Sequence, residues 1–299
     1  MNLYQTITSA LPEVTALENE PLARHTSFRV GGPAEVFLQP KTAEELAEIL
    51  RLCAALGQKP VVLGAGTNVV APDEGLRGVV ICTRDSLSGL RRVDETGIEA
   101  ECGVPLARLA LFARDLGLTG LEFAHGIPGT VGGGMLMNAG AYGGEMKQVA
   151  EKTTVLLPDG TERVFVGDEQ QLSYRHSAFM EQEGIVLKTV FRLSPGDREQ
   201  ITATMRELNA RRRASQPLEF PSAGSFFKRP TGYFAGKLIQ DANLKGFTVG
   251  GAQVSEKHAG FVISTGSATA ADIKALMAEV QRRVFETSGV HLEPEVRFL

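Results

Sequence analysis

Apolar positions in TAEELAEILRLCAAL (residues 42–56) recur at helical spacing, with Leu46, Ile49, Leu50, Cys53 and Leu56 on one face. Thr42 and Glu45 have capping-box spacing at its start, and Gly57 follows as a stop. A helix over 42–56 is therefore predicted. AEVFLQP (34–40) before it reads as a strand, and KPVVLGAGTNVV (59–70) after it as a short buried strand entering a glycine loop, a β-α-β arrangement of crossover size. A second helix is predicted over 105–116, with Pro105 in a tolerated first-turn position. TTVLLPDGTERVFV (153–166) reads as a hairpin around Pro158-Asp159-Gly160, and GIVLKTVFRL (184–193) as a strand. From about 197 the pattern becomes a long polar helix up to Ala214. A last amphipathic helix covers 269–289, capped by Thr269 with Asp272 and ended by Gly289. The pattern describes an α+β protein with a domain over 1–195, a smaller α+β domain over 196–289, and a final strand (290–299) able to return to either.

Composition narrows the function classes. The chain has 299 residues, 43% apolar and 22% charged, enough for one large or two ordinary domains. Its 31 basic and 35 acidic residues give a net charge of −4, so no global basic field draws nucleic acid, and the run Arg211-Arg212-Arg213 suits the C-terminal end of a helix. Cys53, Cys82 and Cys102 lie apart in apolar stretches, the pattern of core thiols in a reduced, cytoplasmic protein rather than of a disulfide framework or zinc site. The N-terminus lacks the regions of a signal peptide, and no apolar run is long enough to span a bilayer. The five histidines are scattered, so no metal is expected.

Two glycine-rich stretches carry the candidate chemistry. LGAGTNVV (63–70) follows a predicted strand, and GIPGTVGGGMLMNAGAYGGE (126–145) contains eight glycines. Glycine admits positive φ and lets a ligand approach bare backbone N–H groups, which suits a pyrophosphate. Neither GxGxxG before a helix nor GxxxxGK[ST] is present, so the phosphorylated ligand implied here belongs to neither a Rossmann nor a P-loop site.

LGAGTNVV, GLEFAHGIPGTVGGGMLMNAGAYGGE, LSYRHSAF, PSAGSFFKRP, GGAQVSEKHAGF and LEPEVRF occur in this order. Together they closely resemble the UDP-N-acetylenolpyruvoylglucosamine reductase family, in its shorter type, over about residues 20–299. The resemblance implies a first domain of the vanillyl-alcohol-oxidase (PCMH) type, with two α+β subdomains, holding FAD non-covalently. It also implies a substrate-binding second domain, NADPH as reductant, and UDP-N-acetylglucosamine enolpyruvate as substrate. Motif match places Gly64, Gly66, Thr67 and Asn68 at the FAD pyrophosphate, and Gly129, Thr130, Gly133, Asn138 and Ala141 along the rest of the cofactor. Nothing assigns covalent attachment to His125. Neither nucleic acid, membrane nor an obligate protein partner is implied. The rival readings are another FAD oxidoreductase or oxidase of the same fold, and a non-catalytic binder of flavin or nucleotide sugar. Neither rival needs the three reactive side chains that follow.

The implied reaction adds hydride to C3 of an enolpyruvyl ether and a proton to C2. In PSAGSFFKRP, Ser225 is the implied acid, with Gly224 giving its loop freedom and Phe226 and Phe227 packing the loop or excluding water. Arg175 in SYRHS suits a substrate carboxylate, which a guanidinium holds with two parallel hydrogen bonds. Glu295 in EPEVRF is the third member, either as a neutral hydrogen-bond donor or as a group orienting Arg175 or a water; Glu293 stands two residues away, and only the resemblance favours Glu295. Lys228, Arg229, Lys237 and Gln253 are implied substrate contacts. Two positions depart from the family pattern: Arg229 stands where an asparagine is usual, and Ser264 where the family tends to asparagine. Arginine there offers a stronger but less directional phosphate contact.

Overall fold

A computed structural model describes residues 1–182 and 184–299. Along the chain run α1 (Leu3–Ala10), β1 (Thr15–Pro21), β2 (Pro33–Gln39), α2 (Ala43–Ala55), β3 (Val61–Leu63), β4 (Val69–Val70), β5 (Leu76–Cys82), β6 (Leu90–Arg92) and β7 (Gly97–Glu101). Next come α3 (Leu106–Asp115), α4 (Val131–Leu136), β8 (Ala150–Leu156), β9 (Glu162–Val166), β10 (Ile185–Arg192) and α5 (Arg198–Ser215). The chain ends with β11 (Ser222–Ser225), α6 (Ala235–Asp241), β12 (Thr248–Val249), β13 (Ala252–Val254), β14 (Phe261–Ser264), α7 (Ala270–Ser288) and β15 (Arg297–Phe298).

The chain forms two compact units, each assembled from three segments. The first comprises Met1–Glu18, Glu35–Ala65 and Gly78–Arg211. Its five-stranded sheet has the order β9-β8-β10-β7-β6 and is antiparallel throughout. The hairpin β8–β9 turns at Pro158-Asp159-Gly160, where Asp159 Oδ1 accepts from Thr161 N at 2.9 Å and Gly160 takes φ +81°. A four-stranded sheet has the order β1-β2-β5-β3. Helix α2 forms as predicted, with Thr42 Oγ1 accepting from Glu45 N at 3.1 Å, and its buried Leu46, Ile49 and Leu50 join Val36, Leu38 and Ile81 in one core. The segment 59–70 differs from its expected form. It splits into β3 and β4 around the loop, and β3 is a sheet-edge strand whose Val62 is 39% exposed. Apolar content alone does not separate an edge strand from a central one, because the number of neighbours is set by the rest of the sheet.

The second unit comprises Asn19–Ala34, Gly66–Arg77 and Arg212–Leu299. Its antiparallel sheet has the order β11-β14-β13-β12. Ile273, Leu276, Val280 and Val284 of α7 are buried with Phe28, Phe226, Phe227 and Val262 in its core. The capping box of α7 is present, Thr269 with Asp272, and Gly289 ends the helix at φ +70°. Asp73 adds a cap from far along the chain, its carboxylate accepting from Ala270 N at 2.8 Å and Ala271 N at 3.0 Å. The final strand β15 lies in this unit and pairs in parallel with β4, Arg297 opposite Val69 and Phe298 opposite Val70. Among the described residues, no helix is long and apolar enough to cross a membrane, and no cluster of His, Cys, Asp and Glu has the arrangement of a metal site. The three cysteines are buried, and burial pushes the Cys53 thiol up to about 11 and Cys102 to about 12, which keeps both protonated and inert.

Candidate active site

The loop after β3 is shared by the two units: Gly64 belongs to the first, and Gly66, Thr67 and Asn68 to the second. In the first unit a Cβ on Gly64 would lie 2.5 Å from Thr130 Oγ1. Thr130 is the N-cap residue of α4, with the extended backbone of a cap, yet its hydroxyl makes no capping bond. That oxygen is buried and hydrogen-bonds no described residue, a state that costs about 1–3 kcal/mol if nothing else pairs with it. In front of Gly133 the space is open, since an added Cβ would meet only Thr130 Oγ1, at 3.9 Å. Gly129, at φ +146°, brings the chain into this turn, and its carbonyl accepts from Leu106 N at 3.0 Å. Gly64, Thr130 and Gly133 thus converge on one polar niche from distant parts of the sequence.

Further along the same loop, Asn138 is 2% exposed and sits at φ +42°. Its amide is committed to protein: Nδ2 donates to Glu145 Oε2 and to the Ser173 carbonyl, each at 3.0 Å, and Oδ1 accepts from Lys147 N at 2.9 Å. Ala141 is half-buried, opposite Gly144 in a short hairpin. Arg175 lies in a two-residue turn closed by Ser173 N donating to the His176 carbonyl at 3.1 Å and His176 N to the Ser173 carbonyl at 3.2 Å. It is held at φ +54°, uncommon for a residue with a Cβ, and its guanidinium lies 5.4 Å from the Tyr174 ring centroid.

In the second unit a Cβ on Gly66 would lie 1.9 Å from the His25 carbonyl oxygen, so the position excludes every side chain. Thr67 is half-buried beside it. Asn68 Nδ2 donates to the Glu295 carbonyl at 3.2 Å, and Glu295 N donates to the Phe226 carbonyl at 2.9 Å. Phe226 N in turn donates to the Gly260 carbonyl at 2.9 Å. Its ring is fully buried, edge-on to Phe28, Phe227 and Phe298 at 6.4, 5.2 and 6.5 Å. The aromatic pair is therefore an anchor. It fixes the backbone on which Ser225 stands, while Ser225 itself is exposed, opposite Phe261. Gly224, at φ +79°, lies in the register shift between Ser222 and Ser225. Among the described residues none hydrogen-bonds to Ser225 Oγ, unlike a turn serine bonded to its own backbone. Asn68, Ser225 and Glu295 are brought together through the Asn68 amide and the backbone bonds around Phe226. Burial together with the Lys245 charge holds the His258 imidazole below its ordinary value, and its Nδ1 accepts from Gly260 N at 3.1 Å.

The expected substrate contacts are engaged within the protein. Lys228 pairs with Glu293. Lys237 pairs with Asp241 one turn along α6. Arg229 stacks 3.9 Å over Phe234, and its Nε donates to the Tyr233 carbonyl at 3.2 Å. Gln253 Nε2 donates to Thr248 Oγ1 at 3.1 Å. Ser264 is buried, and its Oγ accepts from Gly266 N at 3.3 Å. The pattern of the sequence passes over Ser27, whose hydroxyl donates to the Ser222 carbonyl at 2.6 Å while its backbone N donates to the Gly66 carbonyl at 3.0 Å. The signal that marks this segment is Gly31-Gly32 just after it, where added Cβ atoms would fall 2.5 Å from Ala71 Cβ and 2.2 Å from the Asp73 carbonyl oxygen.

Residues 34–165 match the family profile described as FAD binding domain, and residues 216–299 the one described as UDP-N-acetylenolpyruvoylglucosamine reductase, C-terminal domain. The chain is 45% identical to the UDP-N-acetylenolpyruvoylglucosamine reductase of Agathobacter rectalis over 99% of its own length and 97% of that protein's. With the protein of that description from Caldanaerobacter subterraneus it shares 49% identity, covering 94% of this chain and 92% of the relative. The crystal structure of UDP-N-acetylenolpyruvylglucosamine reductase from Thermus caldophilus superposes with a TM-score of 0.78 at 34% identity, over 96% of this chain and 98% of that one. With two domain profiles in order and such relatives matched end to end, the chain belongs to the UDP-N-acetylenolpyruvoylglucosamine reductase family.

Proposed function

We propose that this chain reduces the enolpyruvyl ether of UDP-N-acetylglucosamine to UDP-N-acetylmuramate, with NADPH as reductant and FAD held non-covalently as the carrier. Family membership makes it an oxidoreductase of peptidoglycan precursor synthesis with an FAD-binding domain. The residues fit the flavin dinucleotide. Thr130 Oγ1 is a buried hydroxyl still able to bond a ligand oxygen after a small shift, and Gly64 and Gly133 leave the backbone beside it bare. Gly64, Gly66, Thr67 and Asn68 would hold the pyrophosphate; Gly129, Thr130, Gly133 and Ala141 would frame the rest of the cofactor, while the Asn138 amide is committed to protein. When bound and reduced by NADPH, FAD supplies the hydride that reaches C3 of the enolpyruvyl group.

Addition at C3 leaves an electron pair on C2, shared with the neighbouring carboxylate. Arg175 accepts the growing charge on that carboxylate through two parallel hydrogen bonds. Ser225 Oγ–H gives its proton to C2, and solvent returns a proton to the alkoxide, which an exposed side chain permits. An aliphatic hydroxyl is a weak acid, but an enolate carbon is basic enough to take its proton. Glu295, one backbone bond from Phe226, donates a hydrogen bond from a neutral carboxyl or orients a water. Lys228, Arg229, Lys237 and Gln253 would contact the substrate, Arg229 at its diphosphate, where a cation is suited.

One observation carries the assignment of the acid: Ser225 presents a hydroxyl that no described residue engages, on backbone pinned to Glu295 through Phe226. The test is anaerobic. Purified protein is reduced with NADPH, and UDP-N-acetylglucosamine enolpyruvate is then added. A yellow band that bleaches and promptly returns is the expected result, and a return only on admitting air would move the reading to an oxidase of the same fold.

A further inference from the structure

We propose that Asn138 is a positioning residue for Arg175. Its three side-chain hydrogen bonds leave the amide no donor for a ligand, and they point elsewhere. The carbonyl that takes one Nδ2 bond belongs to Ser173, and that same carbonyl accepts from His176 N to close the turn carrying Arg175. The neighbours fix the orientation of the amide. Glu145 Oε2 and the Ser173 carbonyl only accept, while Lys147 N only donates, so Nδ2 must face the first two and Oδ1 the third. The backbone conformation agrees, because φ +42° is a region that Asn enters more readily than most residues with a Cβ. The end of the glycine loop thus reaches across to a turn that sequence places 35 residues away. A guanidinium that must hold a carboxylate bidentately needs its backbone fixed, and the Asn138 amide bonds the carbonyl that closes the turn carrying it.

The inference rests on the reading of Arg175 as the carboxylate-holding group, and its test separates the two. Asn138→Asp is isosteric and tolerates the same φ, but sets carboxylate oxygens against Glu145 and the Ser173 carbonyl. Backbone amide exchange at Ser173 and His176 should then accelerate, while exchange in β8 and β10 stays as in the parent. Reoxidation of the reduced flavin by substrate should slow about 10- to 100-fold, as for a reacting group displaced by about 1 Å. Reduction by NADPH and the amount of bound flavin should not change. If Asn138→Asp does not fold, Asn138→Ser, which keeps one donor and one acceptor, should show the same selective loss in smaller measure. Unchanged exchange at Ser173 and His176, or an equal fall in both half-reactions, or loss of flavin, would overturn the inference and return Asn138 to the cofactor loop. Arg175→Ala is measured alongside. Slow reoxidation in Arg175→Ala with normal reoxidation in the Asn138 variants defeats the positioning role alone, whereas normal reoxidation in Arg175→Ala defeats the reading of Arg175 and this inference with it.

Discussion

Ser225→Ala removes one oxygen and nothing else. The side chain is exposed, its Oγ bonds no described residue, and the backbone around it is held by Phe226 N to the Gly260 carbonyl and Glu295 N to the Phe226 carbonyl. None of those bonds involves the hydroxyl, so the change in folding stability should stay within about ±0.5 kcal/mol. The kinetic effect should be far larger. A positioned acid contributes roughly 10²–10⁴ in rate, which corresponds to about 2.7–5.4 kcal/mol of barrier. The two numbers differ enough to be read separately. Urea denaturation gives the first; stopped-flow absorbance gives the second, as the rate at which substrate restores the oxidised flavin band after anaerobic reduction. Reduction by NADPH in the same instrument serves as the internal control and should be unchanged. A variant that reoxidises at the parental rate would refute the assignment of the acid, and one that loses stability by several kcal/mol would refute the claim that Ser225 is free of structural work.

Gly66→Ala should be strongly destabilising and should lose flavin on gel filtration, since a methyl cannot lie 1.9 Å from the His25 carbonyl oxygen and φ +62° is itself unfavourable for alanine. Asp73→Ala should cost about 0.5–2 kcal/mol by urea denaturation, the usual cost of a lost cap, because Ala270 N and Ala271 N lose their acceptor. Acidification between about pH 7 and 5 should lower Tm through two histidines. Burial first, then the Arg114 charge, depresses His125, and burial with Lys245 depresses His258, so the unfolded chain takes up protons at higher pH than the folded one. Stability from these groups is present above the ordinary value of 6.5 and is lost as pH falls below it. The slope should shrink in His258→Asn, and an unchanged slope in that variant would remove His258 from the account.

Local periodicity and capping chemistry were legible in the chain because they act over a few residues. The helix of Thr42 and Glu45, the hairpin at Pro158-Asp159-Gly160 and the helix from Thr269 to Gly289 all form where their signals stand. The family, too, was legible, since six motifs in order survive as sequence. What the chain alone left open depends on separations it does not encode locally. Residues 19–34 and 66–77 pack against each other because the glycines at 31, 32 and 66 allow backbones to approach where any Cβ would collide, and both segments join 212–299 in one unit. Phe226 and Phe227 beside Ser225 prove to be core anchors, a matter of which rings they meet. Asn138 reads as one more polar residue in a glycine loop until its amide is seen to close on Ser173. Spacing determined which side chains this protein has available, and tertiary packing decided which of them are spent on holding the others in place, because a hydrogen bond between residues 138 and 173 leaves no periodic trace in the sequence.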